Sequence, residues 1–204
     1  MVNQEDPRVL RTRQLIREAF RGLLRNKKFD AITMKDIAQR ATINRSTLYT
    51  HYEDKYALLE EITEQVFHKM IPEQVLNAQE FTDEICEQLI LLTHRYFVTF
   101  YQICRMESKS IDTLVDEKVR KMLQQIIESI FIKGNHHHIA DGHHTKIISA
   151  MTGSAIYSAA HYWFMVGEND RTDLLVDIAR PYVTNALRQY CNGDEYLNDP
   201  SMRP

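Results

Sequence analysis

Cysteine, glycine, proline and long apolar runs are all scarce in this sequence of 204 residues. Its three cysteines, Cys86, Cys104 and Cys191, are odd in number and widely spaced, so they favour a reducing compartment over a disulfide framework. Six glycines and five prolines exclude collagen-like and Pro/Gly-rich low-complexity chains. No segment approaches the ~18 uninterrupted apolar residues of a membrane-spanning helix, and the first residues lack the apolar core of a secretion signal. We therefore expect a cytoplasmic protein that makes no membrane contact.

The net charge of −3 conceals an uneven distribution along the chain. Residues 1–55 hold 12 Lys and Arg against 7 Asp and Glu, whereas residues 56–204 hold 13 against 21. Because Lys and Arg supply much of the affinity for nucleic acid by neutralising phosphates, the basic N-terminal quarter could bind nucleic acid and the acidic remainder could not. Chance clustering of solvated charge gives the same counts, so charge alone does not decide the matter.

Apolar residues recur at three- and four-residue steps along most of the chain, which predicts an all-α fold. Asp6, Thr33, Asn44 and Asp54 each stand where they could cap the start of a helix. The predicted helices run from near Pro7 to about Arg25, from Thr33 to near Ala41, over Arg45–His51, from Asp54 to near Pro72, and over about 82–106, 110–133, 144–167 and 171–191.

The second and third predicted helices are short and flank the three residues Thr42-Ile43-Asn44. Two capped helices joined by a tight turn are the arrangement of a helix-turn-helix, whose second helix lies in the DNA major groove. With Leu48 as the buried residue of that second helix, several polar side chains remain on or near its outer surface, and arginine and threonine are among those that read base edges. These outer residues are Arg45, Ser46, Thr47, Tyr49 and Thr50.

The segment ITMKDIAQRATINRSTLYTHYEDKYALL resembles the DNA-binding domain of the TetR family of bacterial regulators. The shared features are a threonine that opens the second helix, an Ile-Ala pair in its middle, a Thr-Leu-Tyr-x-His-aromatic run and a following lysine. In this sequence they are Thr33, Ile37-Ala38, Thr47–Tyr52 and Lys55, and the resemblance extends over about residues 8–62. One position departs, because Thr42 stands where the family usually has glycine. Either the turn is shaped differently here, or a β-branched residue at positive φ strains it by roughly 1–2 kcal/mol.

The resemblance implies a DNA-binding domain over residues 1–53 and a helical effector-binding and dimerisation domain over residues 54–204. It also implies a role on DNA for each polar residue of the motif. Arg45, Ser46, Thr47 and Tyr49 would face bases or the nearby backbone, with Thr50 on the same outer surface. Lys35 could reach a base or a phosphate, and Thr33, Tyr49, His51 and Lys55 would hold phosphates.

The last two predicted helices combine an apolar stripe with small residues, which let a neighbouring helix approach closely. They resemble the two final helices of the TetR family, and that resemblance implies pairing with a second copy of the chain. The same pattern also suits the chain's own core. The expected interface residues are Met151, Ala155, Ser158, Ala159, Tyr162, Leu175, Ile178, Tyr182 and Ala186. Pro181 should kink or loosen the last helix.

An aromatic-rich set on three of the later helices could line an apolar cavity for a small organic effector, although ordinary core packing explains it equally well. Its members are Tyr96, Phe97, Phe100, Tyr101, Cys104, Met122, Ile126, His161, Trp163 and Phe164. The histidine-rich segment 136–144 contains residues that suit Zn²⁺, but their spacing matches no defined site, and we expect neither a metal nor a cofactor.

Together with these features, the resemblance implies a homodimeric, sequence-specific regulator of transcription that binds double-stranded DNA. We expect a repressor that a small-molecule effector releases from an approximately palindromic operator. The alternative is a coactivator of the same fold that acts through a protein partner. An enzyme is not expected, because the sequence has no Glu-x-x-His pair for a di-metal site, no Gly-x-Ser-x-Gly and no phosphate-binding glycine loop.

Overall fold

The computed structural model describes residues 6–103, 109–134 and 142–191. Within these ranges the chain forms nine α-helices and one 3-10 turn and contains no strand, which confirms the all-α prediction. The helices are α1 (Pro7–Leu24), α2 (Met34–Arg40), α3 (Arg45–His51), α4 (Lys55–Met70), α5 (Glu73–Asn77), α6 (Asp83–Ile103), α7 (Lys109–Lys133), α8 (Gly142–Val166) and α9 (Thr172–Cys191), and the 3-10 turn is Phe29–Ala31.

The short helix α5 is the one α-helix among the described residues that the sequence pattern does not predict. Pro72 occupies its N-cap position with φ of −63° and ψ of 144°. A helix of five residues is too short to show a repeating apolar face, and only Val75 of its residues is buried. The pattern therefore indicates the end of α4 near Pro72 correctly but takes the residues beyond it for a connection.

Contacts between residues divide the described chain into two compact units. The first comprises the residues up to Lys69 together with Thr99–Lys118, and the second comprises Met70–Val98 and the residues from Val119 onward. The domain boundary predicted between residues 53 and 54 stays a prediction, while α4, which follows it, groups with the first unit.

Helices α1, α2 and α3 of the first unit form a three-helix arrangement in which α1 packs against α2 and α2 against α3. Asp6 caps α1 by accepting a hydrogen bond from the Arg8 amide (2.8 Å). The apolar faces meet in a core that excludes water, and burial of each large apolar side chain contributes about 1.5–3 kcal/mol. Its buried members are Ile16, Ala19, Phe20, Leu24, Ile37, Ala38, Ala41 and Leu48.

In the second unit α8 packs against α9 and closely approaches α7. The close approach is at Gly153, where a Cβ atom would lie 3.2 Å from the backbone nitrogen of Gln124. Pro181 lies inside α9, and the helix continues on both sides of it. None of the described helices is long and apolar enough to cross a membrane.

The histidine-rich segment is only partly described. Residues 136–141 lie outside the described ranges, and His143 and His144 are exposed in the first turn of α8. In the described part of the chain, no group of three or more His, Cys, Asp or Glu is arranged to hold a metal ion.

Candidate nucleic-acid interface

The turn between α2 and α3 has the hydrogen-bond pattern of a Schellman motif. The Ile43 amide donates to the Ala38 carbonyl (3.0 Å), and the Thr42 amide donates to the Gln39 carbonyl (3.2 Å). This pattern requires a left-handed residue directly after the helix, and Thr42 has a φ of +56°. The turn therefore has the shape for which glycine is suited, and Thr42 strains it by roughly 1–2 kcal/mol.

Helix α3 has one buried side and one side that faces solvent. It begins after Asn44, whose side-chain oxygen accepts from the Ser46 amide (3.2 Å), and Leu48 and the following Tyr52 hold its inner side in the core. Tyr49 has 48% of its surface exposed. The predicted contact residues Arg45, Ser46, Tyr49 and Thr50 are exposed, and Thr47 and His51 are half-buried. This face of α3 thus offers a cation, hydroxyl groups and an aromatic ring to a partner molecule.

Thr33 caps α2 in a capping box with Asp36. The Asp36 amide donates to Thr33 Oγ1 (3.1 Å), and the Thr33 amide donates to Asp36 Oδ2 (2.8 Å). The ammonium of Lys27, 2.9 Å from the same carboxylate oxygen, acts with the amide and hydroxyl of Thr33 to lower the pKa of Asp36 to about 2. The Thr33 hydroxyl is therefore engaged within the protein, whereas the side chain of Lys35 is exposed.

Lys55 binds the backbone of its own unit. Its Nζ donates to the carbonyls of Phe29 (2.9 Å), Asp30 (3.2 Å) and Ile32 (3.0 Å), which belong to the 3-10 turn before α2 and the residue that follows the turn. The ammonium of Lys55 is thus bonded within the protein, whereas the side chain of Lys35 is exposed to solvent. The direct phosphate contact expected of Lys55 stays a prediction that this geometry does not favour.

Glu61 of α4 is a residue that the sequence pattern did not single out. Its two oxygens accept hydrogen bonds from Arg13 (2.6 Å) and Arg17 (2.9 Å) of α1. Burial disfavours its negative charge, but the hydrogen bonds from Arg13 and Arg17 and the positive charge of Arg13 outweigh burial and hold the pKa of Glu61 below its usual range. The Arg13 guanidinium also lies over the Tyr52 ring, 5.2 Å from its centroid. Glu61 therefore links α1 to α4 beside the residue that ends α3.

His51 lies at the C-terminal end of α3 and is half-buried. Burial, and secondarily the positive charge of Arg13, lower the pKa of His51 below its usual value. Burial thus favours the neutral imidazole, which has one N–H donor. His51 can donate this N–H to a phosphate oxygen.

The residues predicted to line an effector pocket fall in both units. Phe100 and Tyr101 belong to the first unit, where the Tyr101 hydroxyl donates to Asp112 Oδ1 (2.8 Å). Cys104 lies outside the described residues. In the second unit Met122 is buried, Ile126 is half-buried, and the indole N–H of Trp163 donates to the Glu168 carbonyl (2.7 Å).

Four members of the predicted pocket set do come together in the second unit. The ring of Phe97 lies between 5.1 and 5.9 Å, centroid to centroid, from those of Tyr96, His161, Phe164 and Tyr157. Tyr157 was not predicted, and neither was Arg120 of α7, whose guanidinium lies 3.8 Å from the Tyr157 centroid. The result is an aromatic cluster (Tyr96, Phe97, Tyr157, His161 and Phe164) with a cation beside it.

The residues predicted to form a dimer interface lie mostly on one exposed, apolar surface of α8 and α9. Tyr162 and Tyr182 have 67% and 75% of their surfaces exposed. Met151, Ser158, Ile178 and Ala186 are also exposed, Ala155 and Ala159 are half-buried, and Ile147 and Met165 extend the surface along α8. The expectation for Leu175 is wrong, because this side chain is 2% exposed and belongs to the chain's own core beneath α9.

Two comparisons of sequence agree with this geometry. Residues 16–62, which contain α2, α3 and part of α1 and α4, match the family model described as bacterial regulatory proteins, tetR family. A segment of 51 residues is 39% identical to the uncharacterized HTH-type transcriptional regulator YxbF of Bacillus subtilis (strain 168). That segment is 25% of this chain and 13% of the relative, so the relationship concerns one domain of that protein.

Solved structures show the same fold over most of the chain. The fatty acid degradation regulator FadR from Bacillus halodurans matches with a TM-score of 0.55 at 14% identity, covering 91% of this chain and 99% of that one. The SmeT–triclosan complex matches with a TM-score of 0.51 at 15% identity, covering 83% and 90%. The helix-turn-helix and the match over residues 16–62 lead to one conclusion: the N-terminal part of this chain is a DNA-binding domain of the tetR family of bacterial regulatory proteins.

Proposed function

We propose that this transcriptional regulator acts as a homodimer that binds an approximately palindromic operator through α3 and leaves it when a small organic effector binds. The observation that carries the proposal is the solvent-facing side of α3, where Arg45, Ser46, Tyr49 and Thr50 are exposed while Leu48 is buried. A helix held in this way can enter the major groove, where arginine pairs with guanine and threonine contacts thymine.

The exposed apolar surface of α8 and α9 supports the homodimer. Apolar side chains such as Met151, Tyr162, Ile178 and Tyr182 lie together on two helices that pack against each other, and such surfaces commonly mark contacts with another protein. A two-fold dimer would carry two copies of α3, which suits two half-sites about one helical turn of DNA apart, or a multiple of that distance.

The aromatic cluster of the second unit supports an organic effector. The rings around Phe97 pack against one another in the interior, with the guanidinium of Arg120 beside them. An effector site that opens beside this cluster would combine apolar surface with a polar group, as binding sites for small molecules do. The names of two structures with this fold mention fatty acid degradation and triclosan, so we propose an effector that is largely apolar. Release then requires that the effector bind more tightly to a form of the dimer that fits the operator poorly.

Selection of binding sequences from random duplex DNA, at physiological salt, tests the proposal. We expect an enriched approximate palindrome. Arg45→Ala should lose preference at one position per half-site, at a cost of ~1–3 kcal/mol. Arg95→Ala is the matched control, because it removes an equally exposed arginine from α6 of the second unit. Failure of the wild-type protein to enrich any sequence would contradict stand-alone operator binding and favour action through a protein partner.

A further inference from the structure

The ammonium group of Lys55 has its full set of hydrogen bonds inside the protein. An ammonium has three N–H donors, and that of Lys55 has three carbonyl partners, on Phe29, Asp30 and Ile32, at 2.9 to 3.2 Å. Nζ also lies 4.5 Å from the ring centroid of Phe29, in a cation–π contact. A phosphate oxygen could bind Nζ only by displacing one of these partners.

The three carbonyls belong to the segment that leads directly into α2. Phe29 is fully buried and its ring contacts Phe20 of α1 and Tyr56 of α4. Ile32 is followed at once by Thr33, the residue that caps α2. Lys55, the first residue of α4, therefore fixes the position at which α2 begins.

That position determines where α3 lies. Helix α2 packs against α3, and the turn between them is held by the two hydrogen bonds of the Schellman motif. A displacement of the start of α2 would thus be passed to the exposed side chains of α3. Rigid support of this kind decides how precisely a binding surface is presented.

We infer that Lys55 is a positioning residue, which holds the Phe29–Ile32 segment and through it the α2–α3 pair, and that it makes no contact with DNA phosphate. The inference rests on the proposed DNA-binding function for its consequence, but the internal contacts of Lys55 can be tested without DNA.

The first experiment uses the free protein. In a ¹H–¹⁵N spectrum of lysine side chains, we expect a protected ammonium signal for Lys55 and none for the exposed Lys35. In Lys55→Met, the amides of Ala31 and Ile32, which bond to Lys28 and Phe29, should exchange faster with solvent, while in Lys35→Met they should not change. An unprotected Lys55 ammonium, or unchanged exchange in Lys55→Met, would overturn the inference even if DNA binding were established.

The second experiment measures affinity for a selected duplex as a function of salt. A lysine that contacts a phosphate contributes about 0.9 to the slope of log K against log[salt]. We expect Lys55→Met to weaken binding by about tenfold with an unchanged slope, because the α2–α3 pair is then held less precisely while no phosphate contact is lost. A slope reduced by about 0.9, or a Lys55 ammonium signal that shifts when DNA is added to wild-type protein, would show a phosphate contact and refute the positioning role. If the wild-type protein binds no duplex, the proposed function fails, and the measurements on the free protein still decide the contacts of Lys55.

Discussion

Replacing Thr42 by glycine should stabilise the protein. Thr42 follows α2 with a φ of +56°, a conformation that crowds the Cβ of any L-residue and crowds a β-branched one most. Its side chain is exposed, so the replacement removes no buried surface. Both backbone hydrogen bonds of the turn can form equally well with glycine, since they use only amide and carbonyl groups.

Two opposing terms set the magnitude. Relief of the strain contributes roughly 1–2 kcal/mol. The greater freedom of glycine in the unfolded chain costs about 0.4–1 kcal/mol. The difference is a gain of between about 0 and 1.6 kcal/mol, and its central value of about 0.8 kcal/mol raises the melting temperature of a chain of this size by about 2–3 °C.

Urea titration and thermal unfolding of Thr42→Gly measure this gain. Ala41→Gly is the control, because Ala41 is the neighbouring residue and has an ordinary φ of −75°. With no strain to relieve and a buried methyl group to lose, Ala41→Gly should destabilise by about 0.5–1 kcal/mol or more. If Thr42→Gly destabilised the protein as Ala41→Gly does, the strain assigned to the turn would be refuted. Operator affinity of Thr42→Gly should be unchanged, because the shape of the turn is retained.

Three further predictions concern ion pairs and the exposed apolar surface. Glu61→Gln should lower the free energy of unfolding by about 1 kcal/mol, because it removes the carboxylate shared by Arg13 and Arg17. Glu60→Gln, on the exposed side of α4, should change this free energy little. Equal effects of the two variants in urea titrations would argue against the link that Glu61 makes between α1 and α4. Because the pKa of Asp36 is lowered to about 2, the contribution of its carboxylate to stability should be complete above pH ~4 and disappear as the pH falls towards 2. In Asp36→Asn, the free energy of unfolding should no longer show this fall between pH ~4 and pH ~2. Tyr182→Glu should raise the dimer dissociation constant at least about tenfold, as measured by sedimentation velocity. Ile132→Glu, which changes a similarly exposed apolar residue of α7, should leave this constant unchanged. A dimer unaffected by Tyr182→Glu would contradict the proposed interface.

The features that the sequence predicts correctly are local ones. The caps at Asp6, Thr33 and Asn44 depend on bonds to residues two or three positions away, and the structure confirms each of them. The burial of Leu48 and Tyr52 follows from their four-residue spacing on one short helix. The positive φ of Thr42 was one of two alternatives, and only the hydrogen bonds of the turn decide between them.

The features that the sequence does not predict depend on distant partners. Arg13 and Glu61 are 48 residues apart, and Lys55 is more than 20 residues from the carbonyls that it binds, so periodicity gives no sign of either contact. In α9 the apolar residues form two neighbouring stripes, and the pattern cannot tell which one faces the chain's own core. The pattern therefore groups Leu175 with Ile178, although the structure buries the first and exposes the second.

The exposed apolar surface of α8 and α9 has a consequence for how gene expression would respond to the amount of this protein. If that surface pairs two chains as proposed, the species that binds both half-sites forms in proportion to the square of the chain concentration below the dimer dissociation constant. Halving the supply of protein would then reduce operator occupancy by more than half. A regulator built in this way would respond steeply to its own abundance, in addition to any response to an effector.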